Sequence, residues 1–539
     1  MRADAGQPAD LPAPVARLGP AQVRSADTVM AETDPMNKAR ARHINRLAGV
    51  SLVALAVLAY LPIINNYPVA DDFAWIVKVS DIRFYEFWKL FLIQSKFFVR
   101  PAPFFSIWLF NGIFGMEWIP SHLLNVVMHG GTGVLLYNLF DKVRINKLTG
   151  FLAASLFVLT PLAPEAVTWT SGRFDVWALF FIMLTLLLYA AFMKNRSRAA
   201  YAGALVAATV ALLSKESAII IFILVAAFEL LFSSTFSREP DGAAKHWRMR
   251  LSRAAVRVGP FVALSFAYLV LRYAITGALA RSTSYLDLTG APNLLAPART
   301  MVTLLAPLDR VMFSKDTVVL LALYMGLLSA ASLIIVIARW RKTPEVTRRL
   351  WLFFVVFFLA TLIPVYSSFF VKGMSSYLTN SRYFYNSDIA LVSLLVLGLL
   401  GFGWKTRPYR TAVIVLLVLV MPVYYWGLSR NNQVWEDAST VSRHISEETH
   451  RLLPDPPPAA DLYFSNVPIS RGAHIYASAL EYSIPLAYGR RDLNIFYVNP
   501  DPALSGFFQD QGPAPAYAYL FVYDLETGQL ALERTPPGP

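Results

Sequence analysis

The chain has 539 residues, of which 56% are hydrophobic and 15% are charged, and its formal net charge is +13. Its mean hydropathy of +0.47 is typical of a protein with many membrane spans, because each span needs about 20 mainly apolar residues. The absence of cysteine excludes a disulfide framework and a thiolate metal site. The positive charge lies in alternate loops, so we expect it to set membrane topology and expect no nucleic-acid partner.

Apolar runs predict about eleven transmembrane helices within a membrane module that covers residues 37–430. Residues 1–36 are rich in Ala, Pro and Asp, which predicts a disordered cytoplasmic N-terminus. They lack an apolar signal-peptide core, so we expect the first span to be an uncleaved anchor. The predicted spans are residues 47–64, 118–140, 148–163, 174–193, 199–213, 217–234, 254–276, 317–338, 350–368, 389–404 and 411–428.

Lysine and arginine are concentrated in every second loop, which indicates that these loops face the cytoplasm. The basic loops include Lys38, Lys142, Lys194, Lys342 and Lys405, together with the stretch 238–257. An odd number of spans then puts residues 431–539 outside. The predicted class is an all-α polytopic membrane protein with a small extracytoplasmic C-terminal α/β domain.

Two adjacent carboxylates, Asp71 and Asp72, follow the first span in the predicted first outer loop. Adjacent carboxylates repel each other and are costly near hydrocarbon, so they mark either a solvated loop or a site that needs a base or a metal ligand. The aromatic and charged stretch 73–98 predicts a helix lying in the membrane interface, which Arg100-Pro101 ends.

The second span contains His122, Asn125 and His129, which share one helix face and should point into the bundle. As metal ligands the two histidines are a weak pair, because they are about 10 Å apart along the axis. Buried hydrogen bonding explains them better.

The second outer loop carries Glu165, Arg173 and Asp175 between two apolar spans. An unpaired charge is costly there, so Arg173 either pairs with one of these acids or contacts a ligand.

Lys215 and Glu216 interrupt the next apolar run, and we expect these neighbours to have different partners. Lys215 is a candidate for binding an anionic headgroup, with a span-end anchor as the alternative.

Arg382, flanked by Tyr383, suits a phosphate because its guanidinium forms a planar fork of donors. The alternative is that Arg382 pairs with Asp388 and shapes the loop. Transfer of a group from a lipid phosphate requires acids that can activate a hydroxyl and, beside them, cations that can hold a phosphate.

The order of these motifs resembles the GT-C fold glycosyltransferases, most closely the transmembrane and tetratricopeptide-repeat O-mannosyltransferases and their bacterial relatives. The matching pieces are Asp71-Asp72, Arg100-Pro101, His122 to His129, Pro164-Glu165-Ala166-Val167, Ser171-Gly172-Arg173-Phe174-Asp175, Leu213-Ser214-Lys215-Glu216-Ser217 and Ser381-Arg382-Tyr383. They extend over about residues 45–430 in the family's order.

The resemblance implies inverting transfer of a sugar from a polyprenyl-phosphate carrier to a glycan, lipid or protein acceptor on the outer face of the inner membrane. It implies Asp71 as the catalytic base or metal-associated acid, with Asp72 as the second candidate, and Arg382 and Lys215 as ligands of the carrier phosphate. It leaves open whether the reaction uses a divalent metal, and it implies no other cofactor. The other expected substrate-binding residues are Arg100, His129, Glu165, Arg173, Asp175, Glu216 and Tyr383.

The C-terminal part departs from that family, because no 34-residue repeat follows residue 429. Apolar runs at 462–464, 493–498 and 517–523 predict strands, and a helix is predicted near 475–482. A non-catalytic transporter or assembly component for lipid-linked saccharides is the alternative function. A transporter should carry its polar groups near mid-span, whereas here they cluster at the outer ends.

Overall fold

The computed structural model describes residues 35–93, 97–115, 117–236, 247–279, 291–468, 470–476, 480–498 and 519–534. The chain divides into two units, Met1–Val50 and Ser51–Pro539. The predicted disorder of residues 1–36 falls almost entirely outside the described residues, and the first described helix begins at Pro35.

Helices make up most of the described residues. The α-helices are Pro35–Ala59, Asp71–Ser80, Pro101–Phe114, Ile119–Lys142, Lys147–Val158, Pro164–Val167, Arg173–Asn195, Arg198–Leu212, Ile221–Phe236, Trp247–Thr276, Leu295–Leu305, Lys315–Arg339, Glu345–Leu362, Tyr385–Val396, Arg407–Leu452 and Leu480–Ala487. The 3₁₀ segments are Leu61–Asn65, Phe84–Phe91, Thr170–Gly172, Glu216–Ile220, Trp340–Lys342 and Ser381–Phe384, and the π segments are Ser367–Lys372 and Leu397–Gly401.

Eight helices among the described residues are long and apolar enough to cross a membrane. Each of the eleven predicted spans overlaps a helix, but Lys147–Val158 and Arg198–Leu212 are shorter than a usual span. The helix Glu345–Leu362 carries three charges and is outside the eight. These helices, together with a small C-terminal sheet, confirm the predicted class of multi-pass membrane protein, while the number eleven stays a prediction.

The first outer loop differs from the single interfacial helix predicted over 73–98. The helix Asp71–Ser80 buries Phe73, Trp75 and Val79, so it packs into the protein instead of lying on a membrane surface. Only the following 3₁₀ segment, Phe84–Phe91, exposes aromatic side chains as an interfacial helix would. The helix Pro101–Phe114 then begins at the predicted break.

The C-terminal part forms a four-stranded sheet in the spatial order Asn494–Val498, Asp461–Ser465, Tyr519–Tyr523 and Leu530–Arg534. The first three strands pair in parallel, and the last pairs antiparallel with its neighbour. Three of these strands were predicted, and the fourth was not.

The predicted helix near 475–482 is displaced towards the C-terminus, to Leu480–Ala487. Ala473–His474 instead pairs with Ser470–Arg471 as a small antiparallel hairpin.

The long helix Arg407–Leu452 continues unbroken past residue 430, where we predict the domain division. Beyond that point it carries Val434 and Trp435, which pack in one buried apolar cluster with Phe73, Trp169 and strand residues such as Phe464. Hydrophobic burial therefore joins the first two outer loops to the C-terminal sheet.

Asn431 links this helix to two other segments through buried hydrogen bonds. Its Nδ2 donates to the carbonyls of Pro161 and Pro307, both at 2.7 Å, and its Oδ1 accepts from the Asp309 amide at 3.0 Å. All three partners are backbone groups, which are costly to bury unpaired.

We expect Asn431→Ala to lower the stability of the folded protein by about 2–4 kcal/mol, because it leaves these three backbone groups without their partner. Thermal unfolding of the full chain in detergent measures the loss. Arg430→Ala, which removes an exposed neighbour bonded only to Gln433 among described residues, is the matched control and should be near neutral. An equal effect of the two substitutions would contradict the role of Asn431.

Candidate active site

The paired carboxylates begin the helix Asp71–Ser80, but their environments differ. Asp72 is 2% exposed, and its Oδ1 accepts hydrogen bonds from the amide and hydroxyl of Ser171. Its Oδ2 accepts from the Val69 amide at 3.2 Å. Burial raises the pKa of Asp72 to about 7, although these hydrogen bonds oppose the shift. Asp71 is only partly buried, so it is the more accessible of the two acids.

Glu165 and Arg382 form an ion pair that joins the second outer loop to the segment Ser381–Phe384. The Glu165 carboxylate also accepts from the Asn380 amide at 3.1 Å, the Arg382 amide at 2.9 Å and the Ser381 hydroxyl at 3.2 Å. The alternative pairing of Arg382 with Asp388 is therefore wrong. Arg382 is close to Glu165 because three donors of its own loop surround that carboxylate.

Lys215 and Asp175 form a second ion pair, and both side chains are almost completely buried. The Lys215 ammonium also lies 5.4 Å from the centre of the Tyr383 ring. The expectation that Lys215 and Glu216 have different partners is confirmed. The alternative pairing of Arg173 with Asp175 or Glu165 is wrong, because these acids pair with Lys215 and Arg382.

Glu216 is held between two arginines. One carboxylate oxygen is 2.7 Å from Arg272 Nη1, and the other is 2.9 Å from Arg100 Nε. Arg272 also donates to the carbonyls of Leu279 and Phe97. The sequence analysis missed Arg272, although a lone arginine near the end of an apolar span is the signal that could have indicated it.

Arg173 and His129 are completely buried in hydrogen-bond networks made by the protein itself. Arg173 donates to Asn125 Oδ1, Ser106 Oγ and the Ser121 carbonyl at 2.9–3.0 Å. Both ring nitrogens of His129 have partners, the Tyr385 hydroxyl at 2.7 Å and the Val158 carbonyl at 3.1 Å. For His129 this agrees with the buried hydrogen bonding that its helix face indicated. The expected substrate-binding roles of Arg173 and His129 stay predictions.

Trp169 and His474 complete the site, and the sequence analysis did not single out either residue. The Trp169 ring lies 4.8 Å from the Arg382 guanidinium and 5.8 Å from the His474 ring. Burial and the charge of Arg382 lower the pKa of His474, whereas Glu165 and Asp71 raise it. The Trp169 indole also donates to the Val69 carbonyl at 3.3 Å, so this side chain connects the segment just before Asp71 to Arg382.

The four ion pairs of the site contain one more cation than carboxylates, in a count that leaves out Asp71 and Asp72. Four cations, Arg100, Lys215, Arg272 and Arg382, are paired with three carboxylates, Glu165, Asp175 and Glu216. Arg382 is the most exposed of these cations, with 11% of its side chain accessible against 3% or less for the others. An anionic group that enters the site therefore meets Arg382 first.

The described residues do not form a ready-made metal site. No group of three or more His, Asp or Glu side chains converges among them as metal ligands would. Both oxygens of Asp72 already accept hydrogen bonds, so the paired carboxylates do not fit a metal cage of their own.

Asp72 makes the stability of the protein depend on pH. Its folded-state pKa of about 7 exceeds that of a free aspartate, about 3.9, so the folded protein holds the proton more tightly than the unfolded chain between these values. Its contribution to stability is therefore greatest at low pH and falls as pH rises through this window.

We expect the thermal midpoint to fall less between pH 5 and pH 8 in Asp72→Asn than in the wild type, because the variant cannot ionise at this position. Tryptophan fluorescence during thermal unfolding in detergent measures the difference. Asp81→Asn, at an exposed acid of the same loop, should keep the wild-type pH dependence. The same pH dependence in Asp72→Asn and the wild type would overturn the assignment.

A family model described as dolichyl-phosphate-mannose-protein mannosyltransferase matches residues 99–240. This stretch contains Arg100, Glu165, Arg173, Asp175 and Lys215. The human protein O-mannosyl-transferase TMTC2 is 29% identical over 175 residues, which are 31% of this chain and 20% of that protein. The Drosophila melanogaster protein O-mannosyl-transferase Tmtc1 is 30% identical over 184 residues, which are 32% of this chain and 21% of that protein.

Two solved structures are similar to this chain. ArnT from Cupriavidus metallidurans has 13% sequence identity and a TM-score of 0.45, and the match covers 89% of this chain and 93% of ArnT. The archaeal oligosaccharyltransferase AglB from Archaeoglobus fulgidus has 14% identity and a TM-score of 0.45, and the match covers 90% of this chain and 74% of that one. The O-mannosyltransferase relatives are much longer than the stretch that is similar: this chain matches only a fifth to a quarter of each of them. Over residues 99–240 it is similar to the protein O-mannosyltransferases, which confirms the resemblance that its motifs indicate.

Proposed function

We propose that this chain is an inverting glycosyltransferase that moves a sugar from a polyprenyl-phosphate carrier to an acceptor on the outer face of the inner membrane. The observation that carries the proposal is the position of Trp169. Its Nε1 donates to the Val69 carbonyl at 3.3 Å, two residues before the partly exposed Asp71, and its ring lies 4.8 Å from the Arg382 guanidinium. Residues 37–430 form the catalytic module, and residues 431–539 form an extracytoplasmic domain. The basic loops support a cytoplasmic N-terminus.

The reaction needs a base and a stabilised leaving group. The acceptor hydroxyl oxygen attacks the anomeric carbon from the side opposite the phosphate, and the bond between that carbon and the phosphate oxygen breaks. The electron pair of that bond stays on the phosphate, and the acceptor proton passes to Asp71. Single displacement from the opposite side inverts the configuration at this carbon.

Asp71 is a better base than Asp72 for a geometric reason. Both Asp72 oxygens accept hydrogen bonds from the protein, and this carboxylate is 2% exposed. Asp72 instead fixes the start of the helix against Ser171, and this holds its neighbour Asp71 at the edge of the site. Asp72 is therefore a positioning residue.

Arg382 supports binding of the carrier phosphate. Its guanidinium is the most accessible of the paired cations and lies against Trp169 and Tyr383, at 4.8 and 5.1 Å from the ring centres. A guanidinium fork can share its donors between Glu165 and a phosphate. The Lys215 ammonium lies 5.4 Å from the centre of the same Tyr383 ring and adds positive charge near Arg382.

The positions of the charges favour an enzyme over a transporter of lipid-linked saccharides. Arg100 precedes the helix Pro101–Phe114, and Lys215 precedes the segment Glu216–Ile220. Asp175 lies in the first turn of its helix. These groups are at helix ends, whereas a transporter places its site near the middle of the membrane.

We expect Asp71→Asn to lower kcat by about 10²–10⁴-fold, because the variant loses the general base. Its thermal midpoint should change little, because the side chain is only partly buried. The measurement is sugar transfer by the purified protein from a panel of defined polyprenyl-phosphate sugars, with the anomeric configuration of the product determined by NMR.

Asp81→Asn is the control for this assay, since it neutralises an exposed acid at the other end of the same helix and should keep full activity. Full activity of a folded Asp71→Asn variant would remove the catalytic role. Retention of configuration in the product would contradict direct displacement. No transfer by the wild type from any donor of the panel would contradict the enzyme proposal.

We expect Arg382→Ala to raise the apparent KM for the donor about tenfold to a hundredfold, with a smaller effect on the acceptor, because a charged hydrogen bond to phosphate is lost. Arg382→Lys should restore donor use only in part, since an ammonium keeps the charge without the fork. Activity is measured against donor concentration for each variant.

The double variant Arg382→Ala with Glu165→Gln separates phosphate binding from loop structure. Arg382→Ala alone leaves Glu165 buried without its cation, which damages the loop as well as the site. The double variant removes that unpaired charge, so it should regain thermal stability while its donor KM stays high. Recovery of donor KM together with stability would limit Arg382 to a structural role.

A further inference from the structure

We propose that a small outer pocket beside Asp309 binds a protonated primary amine. The pocket lies between the segment that joins Leu295–Leu305 to Lys315–Arg339 and the hairpin that carries His474. Its polar and aromatic wall includes Glu165, Asp309, Tyr377, Asn431, Trp435 and His474.

Asp309 is a buried carboxylate with one oxygen left for a ligand. The residue is 4% exposed, and its Oδ1 accepts from the Val311 amide at 2.8 Å. In the part of the chain that the structure describes, its Oδ2 has no hydrogen-bond partner and its carboxylate has no ion pair. The other acid of the pocket, Glu165, is fully engaged by Arg382 and the loop around it.

The backbone holds this carboxylate in place. The Asp309 amide donates to Asn431, and the Asp309 carbonyl accepts from the amides of Met312 and Phe313, each at 3.0 Å. The carboxylate is therefore fixed before any ligand arrives, which lowers the entropy lost on binding.

Gly472 borders a space of about 10 Å³, which is room for one ammonium-sized group and no more. Its backbone has φ +80°, and a Cβ at this position would lie 2.7 Å from Val434 Cγ1 and 3.7 Å from Asp309 Oδ2. A side chain larger than hydrogen would therefore collide with the long helix and narrow the space beside the carboxylate.

An ammonium group satisfies this environment better than a neutral or anionic group. A buried carboxylate without a cation is costly, and an ammonium supplies both the charge and the hydrogen bonds. The indole of Trp435 and the phenol ring of Tyr377 in the same wall add attraction for a cation. Asp309 would repel a phosphate or a carboxylate. A hydroxyl could donate a hydrogen bond but would not compensate the negative charge of Asp309.

The pocket adjoins the proposed transfer site through two residues of its wall: Glu165 pairs with Arg382, and the His474 ring lies 5.8 Å from the Trp169 ring. An amine held there would belong to the acceptor, and this last step rests on the proposed function. Binding of the amine itself does not depend on transfer.

The test compares glucosamine with glucose and N-acetylglucosamine, because these sugars differ at the position where glucosamine carries its amine. Equilibrium binding to the full chain in detergent is measured at pH 6.5, where the amine is protonated. We expect wild-type protein to bind glucosamine at least about tenfold more tightly than either neutral sugar. Equal binding of the three sugars would overturn the proposal without any variant.

Asp309→Asn then tests the carboxylate, because asparagine keeps an oxygen for the Val311 amide but loses the charge. This variant should lose the preference for glucosamine, whereas Asp316→Asn, at an exposed acid on the following helix, should keep it. A preference that persists in Asp309→Asn would overturn the proposal. Binding is measured without any sugar donor, so failure of the transfer reaction is distinguished from failure of this pocket.

Discussion

Pairing of buried charges is the constraint on which the geometry of the candidate site depends. Lys215, Arg272 and Glu216 are no more than 1% exposed, and each has an opposite charge within contact distance. Removing one partner of such a pair costs about 3–5 kcal/mol, because the remaining charge stays buried without compensation. The pairs therefore fix which helix ends meet, and Glu216 alone joins Arg100 at one helix end to Arg272 at another.

The same pairs position the groups to which we assign chemistry. Glu165 binds both the guanidinium and the backbone amide of Arg382, so this side chain is held against Trp169 before a ligand binds. Asp72 does the same for Asp71 through its hydrogen bonds to Ser171. In both cases a buried acid orients a more accessible neighbour, and preorganisation of this kind lowers the cost of reaching the transition state.

Local patterns in the sequence were sufficient to predict a multi-pass membrane protein, the start of a helix at Pro101 and the clustering of charges at helix ends. They did not identify partners. Arg382 could pair with Asp388, six residues away, on local grounds, but it pairs with Glu165, 217 residues away in sequence. His474 was overlooked because it lies in a short hairpin with little apolar pattern, and its importance comes from Trp169 and Arg382 in distant segments.

The cations of the site are of two kinds, which differ in how accessible they are to a ligand. Arg100, Lys215 and Arg272 are buried and committed to carboxylates, so a ligand can reach them only by breaking an ion pair. Arg382 is partly accessible and presents a fork with more donors than Glu165 requires. Under the proposed function, a carrier phosphate would gain most of its direct contact from Arg382, and the buried cations would act mainly through their electric field. Because this field acts at a distance in a medium that screens charge poorly, the buried pairs can favour an anionic leaving group without touching it.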